Sequence, residues 1–496
     1  MTAILRLAPE DRLAVALRDL AAGEPLPGGI TATAVIPAGH KVALASVATG
    51  APVLKYGHVI GVATAPIAPG DHIHSHNLGM PATAIRTAVH APAPPNAIRA
   101  TGATFDGYRR GGRAGTRNYI GVMASVNCSA TVVHALVDRA RQTLLANYPR
   151  VDGLVPLTHR SGCGIGRDDE GFAVLTRTLQ GFLDHPNFGG VLLIGLGCEV
   201  TTSTELAEGH AGERFRRMDI QAAGGTLAAI EQGLVHIEAL LKAASDDRRE
   251  PIPVSELVVG LQCGGSDGLS GVTANPAMGL AVDRLVAEGG TAILSETPEI
   301  YGAEHLLAVR AAPEVAEALM TKIAWWEAYA ATHRVSLDNN PSPGNKAGGL
   351  TTILEKSLGA VAKGGRTAVT AVIDYAAPVR TRGLVFMDSP GFDPCSATGQ
   401  VASGANLLLF STGRGSCFGC KPAPSLKLAT NSDVFRRMGD DMDIDCGRVL
   451  SGVSLQTVAD EIFQAMIETA SGRPSKSEAL GYGDHEFVPW QLGATL

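Results

Sequence analysis

What this sequence lacks narrows its function before any motif is considered. No apolar run approaches the 18 or more residues that a membrane-spanning helix needs, so we expect no membrane partner. The net charge is -7 rather than basic, which argues against a nucleic-acid partner. Aromatic residues make up only 5% of the chain, whereas 59 glycines indicate many tight turns. This composition favours a compact α/β enzyme that acts on a small molecule.

Signals for export are also missing from the sequence. The first residues, MTAILRLAPEDRLAVAL, have neither a basic start nor a cleavage site. Without such a signal, the eight cysteines of this 496-residue chain are expected to be thiols rather than disulfides. We therefore expect a cytoplasmic protein.

The length of the chain predicts several domains. Residues 1–92 contain short β-like runs broken by turn sequences, which predicts a small all-β module. A proline-rich stretch at 91–96 is expected to be a stiff linker. In residues 100–248 and 252–496, strand-like runs alternate with helical patterns. The fold class is therefore α/β, with two doubly wound α/β domains after the β module.

One stretch, residues 256–279, organises the predicted chemistry. Its apolar run ends at Cys263 and is followed by a Gly-Gly turn, Ser266, Asp267 and, further on, Asn275. Open α/β sheets bind ligands at the carboxyl ends of their strands, so these side chains are candidate site residues. An ordinary strand-to-helix turn with a buried cysteine is the alternative interpretation.

The same pattern recurs in three other places. Apolar runs lead into Cys128, Cys163 and Cys198, which are 35 residues apart, twice over. If all four strands are parallel neighbours, four thiols gather along one edge of one sheet, where they could bind iron or zinc. His159 lies beside these strand ends and is a candidate acid or base. Buried structural cysteines are the alternative.

Polar groups outside the strand ends add further candidates. His72, His74 and His76 alternate, so an extended strand would place them on one face, as metal ligands, as proton-transfer groups or simply as a solvated surface. Lys55 of the same module could reach a neighbouring site. Arg113 and Arg117, on a glycine-rich loop, suit the two-point capture of a carboxylate or phosphate, or are merely exposed.

Cys417 and Cys420 form the one Cys-x-x-Cys pair of the chain. Such a pair can be redox-active or supply half of a metal site. A structural zinc site would have to take its other ligands from elsewhere in the sequence.

Taken together, these stretches resemble the altronate/galactarate dehydratase family, whose members join a SAF-type β module (a β-clip fold) to a two-part catalytic region. The resemblance covers nearly the whole chain. It rests on KYGHVIG, GDHIHSHN, GTRN, SGCG, GLGCE, LQCGGSDGLSGVTANP, NPSPGNKAGGL, STGRG and the closing FVPW. The histidine motif and FVPW are closer to the altronate branch, from whose pattern Cys417 and Cys420 depart.

The resemblance implies a hydro-lyase that converts a 2,3-dihydroxy sugar acid into its 2-keto-3-deoxy acid with ferrous ion, or sometimes manganese. A homo-oligomer is also expected. On this basis Arg117 and Asn118 are assigned to the substrate carboxylate. Substrate contacts are assigned to Ser266, Asp267 and Asn275, and proton transfer to His74, His159 and Lys55. The metal is held either by His72 and His74 with a carboxylate, or by thiols. In the second case the ligands are Cys128, Cys163, Cys198 and Cys263, three of which could hold an iron–sulfur cluster.

Rival functions remain at this stage. Galactarate dehydratase and sulfolactate sulfo-lyase would use the same scaffold. A sugar-acid sensor without catalysis would bind the ligand but form no keto acid. A redox protein would depend on Cys417 and Cys420.

Overall fold

The computed structural model describes residues 3–81 and 98–493. The linker predicted at 91–96, and with it the predicted end of the first domain at residue 92, lie outside the described residues. None of the helices described has the length and apolar character needed to cross a bilayer.

The N-terminal part is an all-β module, as predicted. Its strands are short and pair antiparallel, in the orders β1-β2-β5-β8, β3-β4 and β6-β7-β9. Gly70 shows why turns separate them: its φ is +92°, and a Cβ there would lie 1.9 Å from the carbonyl oxygen of Thr31. The strands are β1 (Ile4–Leu5), β2 (Leu13–Ala16), β3 (Pro25–Leu26), β4 (Ile30–Thr31), β5 (Lys41–Ala43), β6 (Pro52–Lys55), β7 (His58–Ala63), β8 (His72–Ile73) and β9 (Leu78–Gly79).

The second part is built on a four-stranded parallel sheet of order β13-β12-β14-β15. Its central strands are almost entirely apolar because helices cover both faces. The elements are β10 (Thr104–Arg110), β11 (Arg113–Gly115), β12 (Tyr119–Ala124), α1 (Ala130–Thr143), β13 (Gly153–Leu157), α2 (Glu170–Leu183), β14 (Phe188–Gly195), α3 (Ser203–Leu206), β15 (Phe215–Asp219), α4 (Ile220–Ala223) and α5 (Thr226–Ser245).

The third part holds a seven-stranded parallel sheet of order β19-β20-β18-β17-β21-β22-β23. A small antiparallel sheet, β11-β10-β16, joins the second and third parts. The elements are β16 (Glu250–Pro253), β17 (Val258–Cys263), α6 (Ala274–Ala287), β18 (Thr291–Leu294), α7 (His305–Ala308), α8 (Pro313–Thr332), α9 (Pro343–Ala347), α10 (Ile353–Val361), β19 (Val369–Ile373), β20 (Gly383–Met387), α11 (Asp393–Ala402), β21 (Leu407–Thr412), β22 (Ser425–Ala429), α12 (Ser432–Arg437), β23 (Ile444–Asp445), α13 (Leu455–Ala470) and α14 (Lys476–Ala479).

Shared hydrophobic cores hold the three parts together. One core lies between the two parallel sheets and contains α2 and α11, which approach so closely that a Cβ at Gly181 would lie 2.3 Å from the carbonyl oxygen of Ala402. A larger core joins the β module to α6, α13 and the other face of the seven-stranded sheet. The two α/β parts and the module therefore share continuous packing.

The sheet orders correct one prediction about the cysteines. Cys128, Cys163 and Cys198 follow the neighbouring strands β12, β13 and β14, but Cys263 ends β17 of the other sheet. Three thiols share an edge, not four. The reason is that the chain leaves the four-stranded sheet after β15, adds β16 to the small antiparallel sheet and begins the seven-stranded sheet at β17.

Candidate functional site

The candidate site lies at the carboxyl ends of three adjacent strands, β20, β18 and β17. Cys263 ends β17, Glu296 and Glu299 follow β18, and Asp393 begins α11 after β20. The strand order also reverses beside β17, because β18 lies on one side of it and the later strand β21 on the other. Open α/β sheets bind ligands where the order reverses in this way.

A thiol, two carboxylates and an ammonium group meet at this edge. One ligand atom each from Cys263, Glu296 and Glu299 lies within 4.8 Å of the other two, the only such group among the residues described. The Lys363 Nζ lies 3.0 Å from Cys263 Sγ and 3.7 Å from Glu296 Oε2. All four side chains are buried. We call these four residues the Cys263 cluster.

Glu296 combines an unfavourable backbone conformation with a buried carboxyl group. Its φ is +73°, in the left-handed region, and its residue is 0% exposed. Among the described residues, neither of its carboxylate oxygens has a hydrogen-bond partner. Backbone strain and a buried, unsatisfied carboxylate both cost free energy, which a ligand at this position would offset. The donor set, one thiol and two carboxylates, fits a divalent transition-metal ion such as ferrous iron or manganese.

Lys356 and Asn340 border the cluster on its open side. The Lys356 Nζ donates to Glu299 Oε1 at 2.6 Å and to Asn340 Oδ1 at 2.8 Å, and the Asn340 amide donates to Glu299 Oε1 at 2.7 Å. These groups line a cavity of about 310 Å³ together with Cys263 and Asp393. That volume suits a small polar ligand.

Burial and neighbouring charges shift the pKa values of the cluster in opposite directions. Burial raises the pKa of Glu296 well above its ordinary value, with the Glu299 charge adding to the effect. Burial alone would also raise the pKa of Glu299, but Lys356 and Lys363 lower it. Burial raises the pKa of the Cys263 thiol to about 11. Glu299 therefore loses its proton more readily than Glu296 or Cys263 does.

Asp393 titrates in the neutral range, because burial and the Glu299 charge raise its pKa to about 7. An unfolded aspartate titrates near pH 4, so the stabilisation from this group is full below about pH 4 and is lost as the pH rises through about 7. Since Asp393 is half-buried, we expect the free energy of unfolding to fall by roughly 2 kcal/mol over this interval relative to Asp393→Asn. Urea unfolding at several pH values measures the difference, and the exposed Asp440→Asn serves as control. A parallel pH dependence in wild type and Asp393→Asn would contradict the assignment.

Comparison with known proteins agrees with this architecture. Three family models match in order: "Altronate/galactarate dehydratase SAF domain" at 2–81, "D-galactarate dehydratase/Altronate hydrolase, second domain" at 107–245 and "D-galactarate/Altronate dehydratase, C-terminal" at 254–495. Altronate dehydratase of Bacillus subtilis is 36% identical over 505 residues, covering 100% of both chains. The chain belongs to the altronate/galactarate dehydratase family.

Other relatives have different substrates in their names. Galactarate dehydratase (L-threo-forming) of Escherichia coli is 37% identical and covers 93% of this chain and 92% of its own. The (2R)-sulfolactate sulfo-lyase subunit beta of Chromohalobacter salexigens is 34% identical over 79% of this chain and 98% of its own.

In this family member the structure brings part of the predicted substrate set near the Cys263 cluster. Ser266 is buried, its hydroxyl has no hydrogen-bond partner among the described residues, and it lines a small cavity with Cys263. Asp267 already accepts hydrogen bonds from Ser270, Thr430 and Asn431, and Asn275 from Ser411. Ser266 is therefore the member of this set that is free to meet a ligand.

Lys55 is buried in an ion pair that crosses from the module to the catalytic region. The Nζ atoms of Lys41 and Lys55 each lie 2.8 Å from a carboxylate oxygen of Glu355 on α10. Burial alone would lower the pKa of Lys55, but attraction to Glu355 outweighs it and the pKa is raised. Lys55 is thus held protonated beside Lys356, rather than lining the 310 Å³ cavity.

The histidines of the module form a cluster, although not on one strand. Strand β8 ends at Ile73, and His74 begins a turn, yet the rings of His72 and His74 lie 5.4 Å apart and His40 joins them. The His74 Nε2 lies 2.9 Å from the Lys346 carbonyl oxygen, and the His40 Nε2 lies 3.2 Å from that of Ala347. The cluster thus contacts the end of α9, the short helix that follows Asn340. The metal and proton-transfer roles predicted for His72 and His74 remain predictions.

Arg117 and Asn118 lie away from the candidate site, at the amino end of β12. The Arg117 guanidinium is buried and makes a two-point ion pair with Glu478, at 2.7 and 2.8 Å, and its other N–H groups donate to carbonyls. The Asn118 amide donates to Arg150 and Ala244 carbonyls. No donor of Arg117 is left for a carboxylate, so the structure gives these two residues a structural role instead of the predicted substrate contact.

His159 lies in the loop after β13 that also carries Cys163. Both of its ring nitrogens contact the backbone: Nε2 lies 3.2 Å from the Ala124 carbonyl oxygen, and Nδ1 accepts from Ser161 N–H at 3.2 Å. Burial lowers the pKa of His159 to about 4. It lines a cavity of about 820 Å³ that also contains Phe392, a residue that lines the 310 Å³ cavity as well. The two cavities therefore adjoin.

The Cys-x-x-Cys pair is divided between two environments. Cys420 is buried, Cys417 is exposed, and the structure records both as free thiols. Burial raises the pKa of Cys420 well above its ordinary value, which makes this thiol a poor nucleophile.

Sequence reasoning missed the groups that complete the site: Glu296, Glu299, Lys356, Lys363 and Asp393. One signal was available, because the polar run Ser295-Glu-Thr-Pro-Glu299 directly follows a predicted strand, as the cysteines do. No local signal marks the two lysines, which lie on or beside α10.

Proposed function

We propose that this protein dehydrates a sugar acid of the altronate type to its 2-keto-3-deoxy acid. The named activities of its full-length relatives support this reaction class. The observation that carries the proposal is the Cys263 cluster, where the buried Glu296 carboxyl group, without hydrogen-bond partners among the described residues, lies 3.7 Å from the Lys363 Nζ at a sheet edge. Such a site suits the removal of a weakly acidic proton next to a carboxylate.

A divalent ion, ferrous or manganous, belongs to the proposal. Cys263, Glu296 and Glu299 would hold it, because their ligand atoms already lie within 4.8 Å of one another. When bound, the ion supplies positive charge that stabilises the enediolate formed as the C2 proton leaves.

The chain's own side chains account for orientation and proton transfer. Lys356 and Asn340 can turn their N–H groups from Glu299 to the carboxylate and hydroxyl oxygens of the acid in the 310 Å³ cavity. Lys363 stays protonated, since its neighbours Cys263 and Glu296 raise its pKa against the effect of burial. Asp393, with its pKa of about 7, can in its ionised form accept the C2 proton and then give it to the departing 3-hydroxyl group, which leaves as water.

Galactarate is the second candidate substrate. The relative that carries this name is as similar to the chain as the altronate dehydratases are, at 37% against 36% identity. The reaction at C2 and C3 would be the same, and only the far end of the acid differs.

The test is a keto-acid assay on protein purified without oxygen and supplied with ferrous or manganous ion. We expect 2-keto-3-deoxy acid from altronate, from galactarate or from both, and loss of product after chelation that added ion restores. Sulfite release from sulfolactate would instead indicate a sulfo-lyase. If none of the acids reacts with either ion, but one raises the melting temperature, the protein is a binding protein and the proposal fails.

A further inference from the structure

The edge of the four-stranded sheet carries a second group of metal-binding side chains that the reaction above does not use. Strand β12 pairs in parallel with β13 on one side and β14 on the other, so the order reverses at β12. Cys128, Cys163 and Cys198 lie in the loops that leave these three strands. All three are exposed free thiols, whereas Cys263, Cys395, Cys420 and Cys446 are buried. We call them the three-thiol edge.

Hydrogen bonds join the three loops to one another. The Asn127 N–H donates to the Ser161 carbonyl oxygen at 3.0 Å, and the Val200 N–H to that of Gly162 at 3.3 Å. A Cβ at Gly162 would lie 2.8 Å from the Ser125 carbonyl oxygen, so only glycine allows this approach. The loops that bear the thiols are thus fixed against each other by their backbones.

Glu199 fixes the third loop further. Its buried carboxylate accepts from Ser125 Oγ at 2.7 Å and from the N–H groups of Gly197 and Cys198 at 2.7 and 3.0 Å. The Gln221 amide donates to Cys198 Sγ at 3.8 Å. Hydrogen bonds of this kind to sulfur are typical of iron–sulfur ligands.

We infer that the three-thiol edge binds an iron–sulfur cluster. A single ion needs its ligand atoms close together. Among the described residues, only Cys263, Glu296 and Glu299 form a group whose ligand atoms all lie within 4.8 Å of one another. Ligands of a cluster bind different iron atoms and therefore stand further apart. Three thiolates on a four-iron cluster would leave one iron without a protein ligand. His159 and Ser161, in the loop that carries Cys163, line the 820 Å³ cavity. A small molecule in that cavity would therefore reach this iron from there.

The test measures iron and acid-labile sulfide per chain after reconstitution with ferric iron, a thiol reductant and sulfide in the absence of oxygen. We expect sulfide and visible thiolate-to-iron absorption in the wild type. Each of Cys128→Ser, Cys163→Ser and Cys198→Ser should lower the sulfide content by about tenfold or more, because a cluster with two protein ligands is lost. Cys417→Ser, which removes another exposed thiol, should retain the wild-type content.

Three results would overturn the inference: iron without labile sulfide, zinc in its place, or sulfide that the three serine variants leave unchanged. Melting temperatures of the unloaded variants separate cluster loss from misfolding, since exposed cysteine-to-serine changes should not alter them. Cys263→Ser separates this inference from the proposed function. It should keep its sulfide and lose dehydration, whereas joint loss of both would place the cluster at Cys263 and contradict the three-thiol edge.

Discussion

Glu296→Gln should lower kcat for dehydration on the order of 10³-fold while the protein stays folded. The amide has the size of the carboxyl group but carries no charge and binds a divalent ion poorly. Since burial raises the pKa of Glu296 and so favours its neutral form, the neutral amide should change the free energy of unfolding by about 1 kcal/mol or less. Steady-state kinetics and urea unfolding measure the two effects.

A control and a contrary result can be stated for this variant. Glu288→Gln, just after α6, removes a carboxylate that accepts hydrogen bonds from the 101–103 backbone and the Thr101 hydroxyl, and should leave kcat unchanged. If Glu296→Gln retains more than about a tenth of the wild-type kcat, the carboxylate is not part of the reaction, and the Cys263 cluster loses its assignment.

Glu355→Gln should destabilise the protein by about 3–5 kcal/mol, because it leaves two buried ammonium groups without their counter-charge. Both lysine side chains are at most 1% exposed, so water cannot replace the carboxylate. Burial already lowers the pKa of Lys41 to about 8, and without Glu355 its proton would be lost more readily. Urea unfolding measures the loss of stability.

The matched control removes all three charges together. Lys41→Met, Lys55→Met and Glu355→Met in one chain should be far less destabilising than the single change, since no unpaired charge remains. A single variant that loses less than about 1 kcal/mol would show that water or another acceptor reaches the two lysines. Lys356 follows Glu355 on α10, so the single variant should also raise KM.

The sequence predicted the strands that carry the site, because buried parallel strands are uninterrupted apolar runs. The runs at 383–388 and 406–411 became β20 (Gly383–Met387) and β21 (Leu407–Thr412). The rule that ligands bind at strand ends then led to Cys263 directly.

What the sequence could not supply was the neighbours of Cys263. Glu296, Asp393 and Lys363 come together only through the order β20-β18-β17 and the path of α10, neither of which leaves a local pattern. The opposite error occurred at Arg117, which a glycine-rich loop suggested was exposed. Its partner Glu478 lies 361 residues away along the chain, so the sequence around Arg117 could not show that the guanidinium is already bound in an ion pair.

The buried pairing of Lys41 and Lys55 with Glu355 also limits how substrate can enter. If the β module swung outward as a hinged lid, it would pull two ammonium groups from their carboxylate through apolar surroundings. Substrate must then reach the Cys263 cluster by another route. Phe392 is 56% exposed and lines both adjoining cavities. The entrance for substrate therefore lies on the side of the C-terminal segment, which lines the larger cavity, rather than under the module.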